Sequence, residues 1–178
     1  MLKNETAENG LHRLTQPDGP TLAWYEDSGM GVIEADGLYF KDLERTGKLV
    51  PCADWRLSPE ERAKDLASRL SVEEIAGLML YSPHQMVPPR QGGPFTGTFD
   101  GKTWEESGQE KSALSDQQKG FLKADHIRHI LMMAVEDADT AAKWSNGLQR
   151  LAERLPHAIP VNISSDPRSG AKKSGGGI

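Results

Sequence analysis

The chain has 178 residues, 37% of them hydrophobic and 26% charged, enough for one sizeable core of soluble globular type. A formal charge of −5, with no basic stripe to displace counterions from phosphates, argues against a nucleic-acid partner. No apolar run nears the roughly 20 residues that a helix needs to cross a bilayer, and a single cysteine, Cys52, excludes an internal disulfide.

The opening MLKNETAENG lacks the basic-then-apolar order of a secretory signal. The default location is therefore cytoplasmic, and a lost leader would instead fit a periplasmic or secreted protein. Residues 1–54 read as an irregular N-terminal extension. Pro17-Asp18-Gly19-Pro20, Ser28-Gly29 and Gly47 are turn signals, and alternation from Gly31 to Phe40 points to a short hairpin.

Regular structure begins at Ser58. Ser58 can cap, Pro59 suits the first helical position, and Glu61 can close a capping box. Ala63, Leu66, Ala67 and Leu70 follow at helical spacing. Ser71-Val72-Glu73-Glu74 repeats the device, with Val72, Ile75, Ala76 and Met79 as its stripe. Residues 83–120 then lose all period under Pro88-Pro89, Gly92-Gly93-Pro94, Gly97 and Gly101, and read as a long loop insertion. These glycines lack the strand before and the Gly-Lys-Ser/Thr after that a phosphate loop needs.

Ile130–Val135 is a continuous apolar run, the pattern of a strand buried on both faces. A helix is predicted from Asp139 to Leu155, with Asp137, Asp139 and Thr140 able to cap it and Pro156 to stop it. Ile159–Ser165 is a second strand. Strand, helix and strand make a βαβ unit with parallel strands, whose carboxyl ends face ligand in α/β folds.

Asp166 follows that second strand. Asp166-Pro167 also makes a good turn, so residue type and spacing alone leave both a turn and a ligand role open. Arg168 can pair with it or stay solvated. His126 and His129 lie three apart but lack the further ligands that zinc needs, so no metal is assigned. Trp24 and Trp144 could stack on a sugar, although Trp144 fits helix packing better. Asn146 and Gln149 fit a solvated helix face. The acidic pairs Glu60-Glu61, Glu73-Glu74 and Glu105-Glu106 fit helix starts or surface charge. Ser164, Ser165 and Ser169 have no convincing base and fail the Gly-x-Ser-x-Gly test.

Three stretches, in order, resemble glycoside hydrolase family 3, the β-glucosidase-type enzymes. Residues 57–74, LSPEERAKDLASRLSVEE, resemble its "ERVxDLLSRMTLEEK" opening. Residues 142–153, AKWSNGLQRLAE, resemble its "NxLQxxAE" helix, and 159–170, IPVNISSDPRSG, its "IPVxxSSDPRHG" strand and loop. Residues 1–50 and 83–120 are not explained by the family pattern.

The resemblance implies an α/β fold, with residues 55–178 as the start of a TIM-type (β/α)8 barrel, incomplete in this chain, that an α/β sandwich domain commonly follows. It implies hydrolysis of O-glycosidic bonds by a retaining two-carboxylate mechanism, releasing terminal non-reducing β-D-glucose or a similar sugar, with no cofactor. Asp166 would hold sugar hydroxyls, with Arg168 orienting it, so both are assigned to substrate binding. Ser169 stands where the family often has His. The family's Lys-His pair and the Ser-Asp-Trp segment bearing its nucleophile are absent from these residues, so no catalytic residue is assigned and the chain alone is expected to be inactive. A second reading is a non-catalytic carbohydrate-binding or interaction module derived from the same fold. A third is an unrelated α/β domain with a chance Asp-Pro-Arg turn.

Overall fold

The computed structural model describes residues 5–89 and 97–165. The chain forms two compact units, Met1–Ser71 with Glu153–Ile159, and Val72–Ala152 with Pro160–Ile178. Among the described residues no helix is long and apolar enough to cross a membrane.

In the first unit, strands β1 (Glu5–Glu8), β2 (Leu11–Leu14) and β3 (Leu22–Tyr25) form an antiparallel meander, and β4 (Val32–Ala35) pairs with β5 (Leu38–Lys41). The β4–β5 pair is the hairpin expected between Gly31 and Phe40, while the β1–β2–β3 meander is regular structure where an irregular extension was expected. Two-residue turns close two of the hairpins: Asn9-Gly10 at φ 52° and 76°, and Asp36-Gly37 at φ 54° and 74°. Positive φ at both positions gives the turn whose twist matches that of paired strands, and Asn-Gly and Asp-Gly tolerate it best. Leu14, Leu22, Trp24, Met30 and Ala158 form the core, with Val32, Tyr39 and Leu43 packed against it.

A second layer of contacts holds the hairpin. Phe40 is fully buried, stacks on Trp55 at 5.2 Å, and carries the Arg56 guanidinium 4.9 Å above its ring. Buried Gln16 accepts from the Tyr39 N–H at 2.9 Å and donates to the Tyr39 carbonyl at 3.1 Å. Helix α1 (Pro59–Arg69) starts with the expected Ser58–Glu61 capping box. Its apolar stripe does not enter a core: Ala63 and Ala67 are exposed, and Leu66 and Leu70 only half-buried.

The second unit is built on a parallel sheet of order β6-β7-β8, made of Gln85–Val87, His129–Val135 and Asn162–Ser165. Between β7 and β8 runs helix α5 (Ala138–Glu153), the predicted βαβ unit. Pro156–Ala158 then forms a 3-10 turn. Pro160 has no N–H to give a ladder, and β8 begins beyond it, at Asn162, later than expected.

Helix α2 (Val72–Leu78) buries only Gly77, while Val72 and Met79 are 78% and 80% exposed. The segment expected to be a structureless insertion contributes strand β6, helix α3 (Trp104–Ser107) and the start of helix α4 (Asp116–Lys123). Capping boxes at Thr103–Glu106 and Ser115–Gln118 start α3 and α4. Strand β7 is also not buried on both faces, since Met133 is 40% exposed.

Candidate functional site

The candidate site is the carboxyl edge of the parallel sheet, where the chain leaves β8, and the face that leads to it. Register decides which side chains share a face. Gln85 aligns with Met132, and Met132 with Ser165. Alternation then puts Gln85, Ile130, Met132, Ile163 and Ser165 on one side, and His129, Leu131, Met133, Asn162 and Ser164 on the other.

The first side is the helix side. Trp144 on α5 donates its Nε1–H to Gln118 Oε1 on α4 at 3.2 Å, and Gln118 Nε2 donates to Gln85 Oε1 at 3.2 Å. Gln118 Oε1 also accepts from the Ser115 N–H at 3.0 Å, and Gln85 Nε2 donates to the Pro83 carbonyl at 2.7 Å. Buried amides are tolerable only when satisfied, and this relay satisfies both. Trp144 is thereby committed to packing. Trp24, buried and stacked on His12 at 5.2 Å, is likewise no free sugar platform.

The second side is open. Tyr81 bridges to His129 in parallel and lies against its ring at 5.3 Å, with Tyr81 59% exposed. His129 Nδ1 lies 3.3 Å from Asn162 Nδ2. Among the described residues no three His, Cys, Asp or Glu side chains stand together as metal ligands. Ser164 Oγ is buried and has no hydrogen-bond partner among the described residues.

At the carboxyl edge two acids follow β7 in succession. The Glu136 N–H donates to the Val87 carbonyl at 3.1 Å, carrying the ladder one residue past the strands. Its carboxylate meets Lys111 Nζ at 2.6 Å, both side chains about half exposed, and this hydrogen bond raises the lysine pKa. Such a pair exchanges readily with solvent. Asp137 is instead committed to capping α5: its carboxylate accepts from the Thr140 N–H at 2.8 Å and from Thr140 Oγ at 3.1 Å. The backbone bond from Thr140 leads in holding its pKa below the usual carboxylate range.

Beside β7, the start of β8 is fixed by its own helix. Gln149 accepts from the Val161 N–H at 3.0 Å and donates to the Val161 carbonyl at 2.8 Å. It is not the solvated residue its spacing implied, whereas Asn146 is exposed. Strand β8 ends at Ser165, the last described residue. Asp166 and Arg168, the residues assigned to substrate binding, and Ser169 lie outside the described residues.

Several contributors went unread in the sequence. Gln85 and Gln118 are buried glutamines with no periodic signature. The Ser115–Gln118 and Thr103–Glu106 boxes did carry a signal, Ser/Thr followed three residues later by Gln/Glu.

No family model matches this chain. It is 35% identical over 142 residues to a protein of Dickeya chrysanthemi named periplasmic beta-glucosidase/beta-xylosidase, a match covering 79% of this chain. The chain therefore spans only 19% of that relative's length.

Proposed function

We propose that these residues are the N-terminal part of a longer glycoside hydrolase, one that cleaves β-glucosides or β-xylosides from their non-reducing ends. The observation that carries this reading is the 35% identity to a protein named for those two activities, extending over 79% of the chain. The family-3 resemblance of the three stretches adds to it. So does the architecture, since a parallel sheet with a helical crossover suits the opening of a TIM-type barrel, with the side bearing His129, Leu131 and Met133 turned to the barrel interior. The relative's name also favours a periplasmic location.

In this reading Asp166, immediately after β8, accepts hydroxyls of the terminal sugar, and Arg168 orients it. A carboxylate takes two charge-assisted hydrogen bonds from neighbouring hydroxyls, which a neutral turn residue supplies less well. The chemistry is that of a retaining glycosidase. One carboxylate attacks the anomeric carbon to form a glycosyl-enzyme, a second carboxyl protonates the leaving oxygen, and water then releases the sugar. Neither of those two carboxylates is assigned within these 178 residues.

The test is hydrolysis of nitrophenyl β-glucoside and β-xyloside. The longer enzyme should cleave at least one, and the 178-residue chain alone neither. Turnover by the chain alone would refute the division of the site, and a longer enzyme inert on both substrates would refute the activity.

A further inference from the structure

The chain between β6 and α4 is the part of the second unit that the family resemblance leaves unexplained. It departs from the carboxyl end of β6, the edge at which open parallel α/β sheets hold their ligands. Its described part, 97–115, is a built frame. Phe99 is buried and pairs with Lys102 across the Asp100-Gly101 turn. Asp116, the first residue of α4, accepts from the N–H groups of Asp100 and Gly101 at 3.1 and 3.0 Å and from Thr98 Oγ1 at 2.8 Å. Leu114 packs on α5, where a Cβ added to Gly147 would lie 3.7 Å from it.

From this frame Lys111 donates to Glu136 Oε1 at 2.6 Å, and Glu136 directly follows β7. Just before that point β7 carries one extra residue opposite β6, since Gln85 pairs with Met132 but Met86 with Ala134. Bulges of this kind re-aim the side chains near a strand end and recur beside active sites. The frame is seated by Asp116 and Leu114 without help from the ion pair. Both members of the pair are half exposed, so it adds little to the fold. Asp137 is committed to the α5 cap, whereas Glu136 and Lys111 set an acceptor and a donor side by side in water.

We propose that Lys111 and Glu136 bind the sugar unit on the leaving-group side of the scissile bond, so that the enzyme favours β-linked oligosaccharides over aryl glycosides. The proposal rests on the glycosidase reading above. There the terminal sugar is held by the residue after β8, on the strand next to β7, while Lys111 comes from a segment outside the sheet. A solvated donor and acceptor suit the outer, more exposed sugar. Its neighbouring hydroxyls can bridge the two charges, donating to the carboxylate and accepting from the ammonium. An exposed ion pair is weak, so hydroxyls can enter between its partners without loss of a strong contact.

The test is kinetics of the longer enzyme on cellobiose and xylobiose beside nitrophenyl β-glucoside and β-xyloside, which lack the second sugar. Glu136→Gln should lower kcat/KM on the disaccharides by about tenfold more than on the nitrophenyl glycosides, chiefly through KM. Lys111→Met should shift that ratio the same way, and Lys111→Arg, which keeps its donors, should shift it less. If Glu136→Gln does not fold, the two variants at Lys111 decide the matter alone. Equal loss on both kinds of substrate, or an unchanged ratio in the folded variants, would overturn the proposal and leave the glycosidase reading standing. A wild-type enzyme inert on all four substrates would overturn both.

Discussion

Gln149 and Val161 exchange two hydrogen bonds, at 2.8 and 3.0 Å, so that a helix side chain stands where the peptide group of a neighbouring strand would stand. Val161 is buried, and water cannot readily replace either bond. Gln149→Leu should cost about 2–3 kcal/mol in urea unfolding, the penalty for orphaning two buried backbone groups. Gln149→Glu should fail to restore stability at neutral pH, since a carboxylate cannot donate to the Val161 carbonyl. A wild-type midpoint in either variant would contradict this role.

Gly77 reverses an ordinary rule. Alanine normally stabilises a helix interior over glycine by about 1 kcal/mol. A Cβ on Gly77, however, would meet the Asp125 carbonyl oxygen and lie 2.6 Å from His126 Cβ. Neither neighbour is the far end of a flexible side chain. Gly77→Ala should therefore lower the thermal midpoint, by an amount equivalent to about 1–3 kcal/mol of overpacking. Scanning calorimetry showing an unchanged or raised midpoint would sink the argument.

The difference between what was legible and what was not follows from range. Ser58, Pro59 and Glu61 define a helix start within four residues, and that start is found as written. Asn9-Gly10 carries an equally local turn signal, but the flanking strands are four residues each and weakly patterned, and that hairpin is not among the expectations drawn from the sequence. The stripe Val72, Ile75 and Met79 gives the helix period correctly, yet periodicity cannot say whether anything covers the stripe, and in this chain it lies exposed. Strand β6, only three residues long, has no period to detect. Gln85, Gln118 and Gln149 find partners 33, 26 and 12 positions away, which no window on the sequence contains. For the site, the resemblance rather than the pattern of residues named Asp166, while the carboxyl edge holding Glu136 and Lys111 needed the fold.

Asp65 makes part of the stability acid-sensitive. Its carboxylate accepts from Arg69 at 2.8 and 3.0 Å and from the Cys52 N–H at 3.0 Å, and the arginine foremost holds its pKa down to about 2. The folded value lies below the roughly 3.9 of an unfolded chain, so the stabilisation is complete above that pH and is lost as pH falls towards 2. Arg69 is partly solvated, and the contribution is about 1 kcal/mol after screening. Asp65→Asn should lose that amount at pH 7 and show a shallower acid limb between pH 5 and 2. Parallel acid limbs for the two proteins would be the contrary result.

Cys52 should be a poor nucleophile. Burial first, then the hydrogen bond and charge of Asp65, push its thiol up to about 11. Thiolate is the reactive form, so at pH 8 alkylation by iodoacetamide should run about a hundredfold slower in the folded chain than in denaturant. Comparable rates in the two states would show that the thiol is neither shielded nor raised.

The most direct measurement is steady-state kinetics of Asp166→Asn in the longer enzyme, with nitrophenyl β-glucoside and β-xyloside as substrates. Loss of charge-assisted bonds to sugar hydroxyls should lower kcat/KM by roughly 30–150-fold, the kinetic equivalent of about 2–3 kcal/mol, with the fold intact by circular dichroism. Wild-type kcat/KM on both substrates would contradict the assignment of the residue after β8 to the sugar.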